Sequence, residues 1–123
     1  MFHIPYKDFE NILAEAIDEL DKSRKDTIKN IAIIIADYPT EDQRIKLKLQ
    51  NNETLLGLYE GVPLIKRQGQ SKLLPDKITI FQSPIENLSR DLNDLKSQVR
   101  HTLWHEIAHY YGLNHDDISK KEQ

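Results

Sequence analysis

Apolar residues at three-and-four spacing mark the first element. Phe9, Ile12, Leu13, Ala16, Ile17 and Leu20 form one stripe of the segment Lys7 to Asp21, the signature of an amphipathic helix. Such a stripe is suited to covering one side of a sheet. A charged stretch, Asp21 to Asp26, separates it from Ile31 to Ile35, a run too short and too β-branched for a helix. Asn30 to Ala36 is therefore expected as a central strand. From Asp37 to Thr54 the chain is polar; Arg44 to Leu49 alternates like a strand, Asn51-Asn52 resembles a turn, and no element is assigned. Leu55 to Tyr59 reads as a strand whose following Pro63 places it at an edge or a strand end. Lys77 to Phe81, bounded by Pro75-Asp76 and Ser83-Pro84, alternates cleanly and makes a third strand.

One long helix is predicted from about Asp91 to Tyr111. Leu92, Leu95, Val99, Leu103, Ile107 and Tyr110 share a stripe, and Trp104, Ala108 and Tyr111 add apolar surface on a second side. A helix apolar on most sides is buried. His105 and His109 occupy the remaining gap, so their face should look into the protein or a cleft. Helices and strands thus combine in an α+β fold with no repeat or linker, and 123 residues suit one domain, 1–123.

The helix carries the chemistry. From His105 to His115 the sequence reads H-E-x-x-H-x-x-G-x-x-H. Residues four apart on a helix stack one turn above each other, with Cβ atoms ~5 to 6 Å apart, so His105 and His109 can both reach one Zn²⁺ at ~2.0 to 2.1 Å. Glu106 lies beside them and can reach water at the ion without occupying the metal. A catalytic zinc normally takes three protein ligands. On an unbroken helix His115 would lie ~15 Å along the axis from His105. Gly112 can take positive φ as a helix cap and turn the chain back, which makes His115 the third ligand, with Asp116 competing and Asp117 behind it. Zinc acidifies water and polarises a carbonyl while Glu106 acts as general base, the chemistry of amide or ester hydrolysis. Tyr59, Tyr110, Tyr111 and His101 are the residue types available as oxyanion helpers. With this chain's His and Glu frequencies, a chance H-E-x-x-H arises roughly 1% of the time, and the added Gly and His lower that about a thousandfold. Metal binding is therefore preferred over ordinary surface and core histidines.

Composition narrows the class. A net charge of −3 and pI near 5.9 give no basic field for nucleic acid. There is no cysteine, so disulfides, thiolate catalysis and Cys-ligated zinc are excluded. Met1 to Asp8 does not resemble a signal peptide, and no run approaches ~18 apolar residues. A soluble cytoplasmic protein, monomeric or weakly self-associating and without a membrane partner, is the expectation.

H-E-x-x-H places the chain among proteins resembling zincins. Gly112 and His115 make it similar to the metzincin branch, but that branch has a methionine turn after the third ligand, whereas the one methionine here is Met1. A later glutamate-bearing helix, as in thermolysin-like relatives, has no room in the eight residues after His115. The chain resembles instead the minimal zincins, very small bacterial zincin-like metallopeptidases. The likeness runs through Phe9, Ala16 to Leu20, Asn30 to Asp37, Leu56-Gly57-Leu58-Tyr59-Glu60-Gly61-Val62-Pro63-Leu64, Leu74 to Phe81 and Val99 to Gly112. Members usually carry an acidic residue where this chain has His115. The resemblance implies a small twisted sheet of three or four strands packed on the N-terminal and active-site helices. It also implies a peptide or protein substrate that could add to the Leu56 to Tyr59 edge.

Two other readings compete. A metal-dependent endoribonuclease of the rRNA-maturation type shares H-x-x-x-H-x-x-G-x-x-H, but lacks a glutamate in the Glu106 slot. A non-catalytic zinc-stabilised binding protein would close the site with four ligands, for example His105, His109, His115 and Asp116. His101, one turn before His105, is a candidate substrate contact, though a solvated or packed histidine is the commoner outcome; His3 is read as a surface residue.

Overall fold

The computed structural model describes residues 2–49, 55–61 and 76–112. Among them the order is α1 (Tyr6–Asp18), α2 (Lys22–Ile28), β1 (Ile31–Ala36), α3 (Glu41–Lys46), β2 (Gly57–Glu60), β3 (Asp76–Phe81), α4 (Gln82–Leu88) and α5 (Leu92–Tyr110). This is the expected α+β fold, a mixed three-stranded sheet packed on the N-terminal and the long C-terminal helix. The strand order is β1-β3-β2, with β1 parallel and β2 antiparallel to β3.

The stripe read from the sequence is the core seam. Phe9, Ile12, Leu13 and Ala16 of α1 meet Leu95, Val99, Leu103 and Ile107 of α5 over Ile31, Ile78 and Ile80 of the sheet. Each of these side chains larger than alanine, fully buried, contributes about 1.5–3 kcal/mol. Leu92, at the open end of α5, is exposed. α5 starts at Asp91, whose carboxylate accepts from the Asp94 N–H at 2.8 Å, and Gly112 follows its last turn with φ 83°. That is the left-handed turn expected of a glycine cap, closed by the Gly112 N–H donating to His109 O at 2.9 Å.

The central strand is β3, not the segment Asn30 to Ala36. β1 lies at an edge of the sheet among the described residues. Ile31, Ile33 and Ile35 face the core, while Ile34 on the other face is 42% exposed. In β3 both faces are covered, and even Thr79 is 2% exposed. The all-apolar run suggested two buried faces where one is, and the alternation Lys77-Ile78-Thr79-Ile80 suggested one where two are.

Three short helices lie where no helix was expected. α2 buries no residue and is fixed by its Asp21 cap, which accepts from the Arg24 N–H. α3 begins in a reciprocal capping box between Thr40 and Gln43. The alternating Ile45 and Leu47 remain exposed on or beside it, so their spacing reflects no strand. Pro84 sits in the first turn of α4, where a missing N–H costs no intrahelical bond. No helix among the described residues is long and apolar enough to cross a membrane.

Candidate metal centre

The site forms where α5 passes the outer edge of β2. Around the antiparallel ladder, Phe81 N–H donates to Leu56 O at 2.9 Å, and the register pairs Gly57 with Ile80, Leu58 with Thr79 and Tyr59 with Ile78. Hydrogen-bonded pairs alternate with non-bonded ones, so Leu58 exchanges bonds with β3 while the backbone groups of Gly57 and Tyr59 point away from it, and the Tyr59 N–H meets Glu106. Gly57 makes the approach tight. A Cβ there would lie 2.6 Å from Thr102 Cγ2 and 3.2 Å from Glu106 Cγ. A glycine inside a strand is a signal of close backbone approach, and it was available in the sequence.

On this face of α5 the imidazoles of His105 and His109 lie with centroids 4.6 Å apart and planes at 54°. Glu106 Oε1 is 3.4 Å from His109 Nδ1. One donor atom from each of the three residues falls within 4.8 Å of the others. Two imidazole nitrogens and a carboxylate suit a borderline ion such as zinc. Both histidines are half-buried.

Glu106 is different. It is 5% exposed, and burial, which disfavours the charged carboxylate, pushes its pKa from 4.5 up to about 7. The Tyr59 backbone N–H donates to the carboxylate and opposes that rise without cancelling it. No sequence pattern marks this main-chain contact. The carboxylate thus lies beside two imidazoles that could hold a metal ion, and with His105 it lines one part of a cleft of about 370 Å³.

The other expected participants divide. His115, Asp116 and Asp117 lie outside the described residues, as do Pro63 and the turn Asn51-Asn52. His101 lines the cleft, whereas the three tyrosines do not. The Tyr59 ring meets Tyr110 edge-on at 6.0 Å, and its hydroxyl donates to Asp76 Oδ1 at 3.3 Å. The Tyr111 hydroxyl pairs with Thr27 Oγ1. His3, mostly exposed, places Nδ1 2.9 Å from the buried Glu86 carboxylate. A larger cavity, about 470 Å³, lies between α2 and α5, where the Arg24 guanidinium sits 5.1 Å from the centre of the Trp104 ring. It contains none of the three metal-site residues.

Residues 28–123 match the sequence model of a family described as zincin-like metallopeptidase. In structure the chain is similar to a conserved hypothetical protein from Thermo thermophilus, at 16% identity and a TM-score of 0.60, over 88% of this chain and 94% of that one. At that identity the likeness is one of fold. No protein of curated function matches the sequence.

Proposed function

This chain belongs to the zincin-like metallopeptidase family, and from that premise we propose that it is a zinc-dependent peptidase in which His105 and His109 hold the ion and Glu106 is the general base. The observation that carries this reading is that one donor atom from each of His105, His109 and the buried Glu106 lies within 4.8 Å of the others, two imidazoles for the ion with a carboxylate beside them. The third ligand comes from the segment after Gly112, from His115 or alternatively Asp116.

Zinc bound by these residues supplies a Lewis acid that polarises a carbonyl and acidifies water. Glu106 takes a proton from the attacking water and returns it to the departing amine, so that water adds across the C–N bond and leaves a carboxylate and an amine. The Tyr59 N–H ties the carboxylate to β2, and burial keeps bulk water from competing for its proton. Gly57 directs its N–H and C=O away from β3, where an extended peptide can pair with the edge that β2 forms among the described residues. Among the described residues no lysine or arginine lines the cleft, which favours a peptide over an RNA backbone. The protein is further read as cytoplasmic and as working without a membrane partner.

The test is Glu106→Gln. The variant retains zinc and loses peptide hydrolysis by a factor of about 10² to 10⁴, the usual contribution of a positioned base. Undiminished cleavage removes the general base from the account, and activity absent from both proteins with zinc bound in each favours a structural zinc.

A further inference from the structure

The cleft does not end at the metal-site residues. From His105 and Glu106 it continues toward the N-terminal end of α5, between Leu55, Leu56 and Gly57 on one wall and Gln98, His101 and Thr102 on the other. Thr102 is buried, Gln98 half-buried and His101 exposed at the mouth. One wall offers hydrocarbon; the other offers an amide and an imidazole, each able to donate an N–H.

The direction in which a peptide crosses this cleft follows from the strand and the helix. Gly57 abuts Thr102, whereas Tyr59 reaches Glu106 and Tyr110, so β2 and α5 advance the same way. An added strand pairs better antiparallel than parallel. It therefore passes Tyr59 first and Leu55 last, and the residues that follow the scissile bond enter the end walled by Leu55, Leu56, Gln98 and His101.

We propose that His101, with Gln98, determines specificity for the residue immediately after the cleaved bond, selecting a side chain with an apolar stem and a carboxylate or amide tip, glutamate or glutamine. This rests on the peptidase reading and adds the substrate class. The stem packs on Leu55 and Leu56, and the tip accepts from the His101 ring and the Gln98 amide. An ammonium tip meets those same donors. Among the described residues the one carboxylate lining the cleft, Glu106, is buried and engaged by the Tyr59 N–H.

The experiment uses the zinc-loaded full chain and four peptides that differ only after the cleaved bond: glutamate, glutamine, leucine and lysine. A single hydrogen bond realised in the transition state is worth about tenfold, so the glutamate and glutamine peptides should exceed the lysine peptide at least about tenfold in kcat/KM. His101→Leu, with its zinc content unchanged, should compress that ratio to within about threefold, and Gln98→Leu should compress it partially. A preference for lysine, a ratio unmoved by both variants, or selectivity that follows the residue before the cleaved bond overturns the proposal. Cleavage of none of the peptides overturns the peptidase reading instead. The pocket is then judged by nuclear magnetic resonance titration with the same peptides. Glutamate and glutamine peptides should shift the His101 and Gln98 signals and bind at least about tenfold more tightly than lysine, and equal binding refutes the pocket.

Discussion

Replacing Glu106 by glutamine should stabilise the metal-free protein, and more so as pH rises. Folding moves the carboxyl from 4.5 to about 7, and each pKa unit is worth about 1.4 kcal/mol. The folded chain therefore binds this proton more tightly than the unfolded chain by about 3 kcal/mol. Because the folded pKa is raised, the stabilisation is complete below pH 4.5 and is lost as pH climbs to about 7. Glutamine keeps the shape and can still accept from the Tyr59 N–H, but has no charge to desolvate. The variant should thus gain on wild type by about 3 kcal/mol between pH 4.5 and pH 8. Urea unfolding of both proteins in a chelator, at several pH values, measures the difference, and the histidines common to both largely cancel. Parallel stability curves would refute the claim that Glu106 is held in a desolvated site.

Other substitutions probe the supports of the site. Gly57→Ala should cost about 1–3 kcal/mol by overpacking and lower peptide cleavage at least about tenfold, because the new methyl meets Thr102 and Glu106; unchanged kinetics would separate β2 from the position of the base. Gly112→Ala should cost about 1 kcal/mol, since φ 83° is unfavourable for any Cβ-bearing residue, and should weaken zinc affinity by loosening the turn into the C-terminal segment; calorimetric zinc titration reads the second effect. Glu86, 2% exposed, is subject to burial that raises its pKa, but the Ile4 N–H, Gln82 and His3 outweigh that and hold it below 4.5. Glu86→Ala should cost about 2–4 kcal/mol at neutral pH. A depressed pKa confers stability that is present above pH 4.5 and lost as pH falls, so the gap to wild type should narrow in acid, as denaturation at pH 3 and pH 7 would show.

The long helices were legible in the sequence because their stripes are core seams. The boundaries of α1 and α5 were read to within three residues at either end, and Gly112 turns as its residue type demands. Strand order was not legible. Whether Ile34 or Thr79 is covered depends on what lies above the second face of the sheet, which hydropathy along a strand does not encode. The short helices escaped for the opposite reason. α2 and α3 bury nothing, so their only signals were caps, and in α3 the Thr40 to Gln43 spacing was outweighed by a coincidental alternation. At the site, the spacing of His105, Glu106 and His109 on one helix foretold their meeting, because four-residue spacing fixes it locally. The Tyr59 N–H on Glu106 and the contact of Gly57 with Thr102 arise between segments far apart in sequence. Of the two, only the glycine left a trace.

A zinc ion on the His105–His109 face of α5 is measured as metal content per chain by elemental analysis, on wild type and on His105→Ala, His109→Ala and Glu106→Gln. One zinc is expected in wild type and in Glu106→Gln, and none in either histidine variant. Zinc absent from the wild type after it has been supplied, or retained in full by either histidine variant, would refute a zinc site on this face.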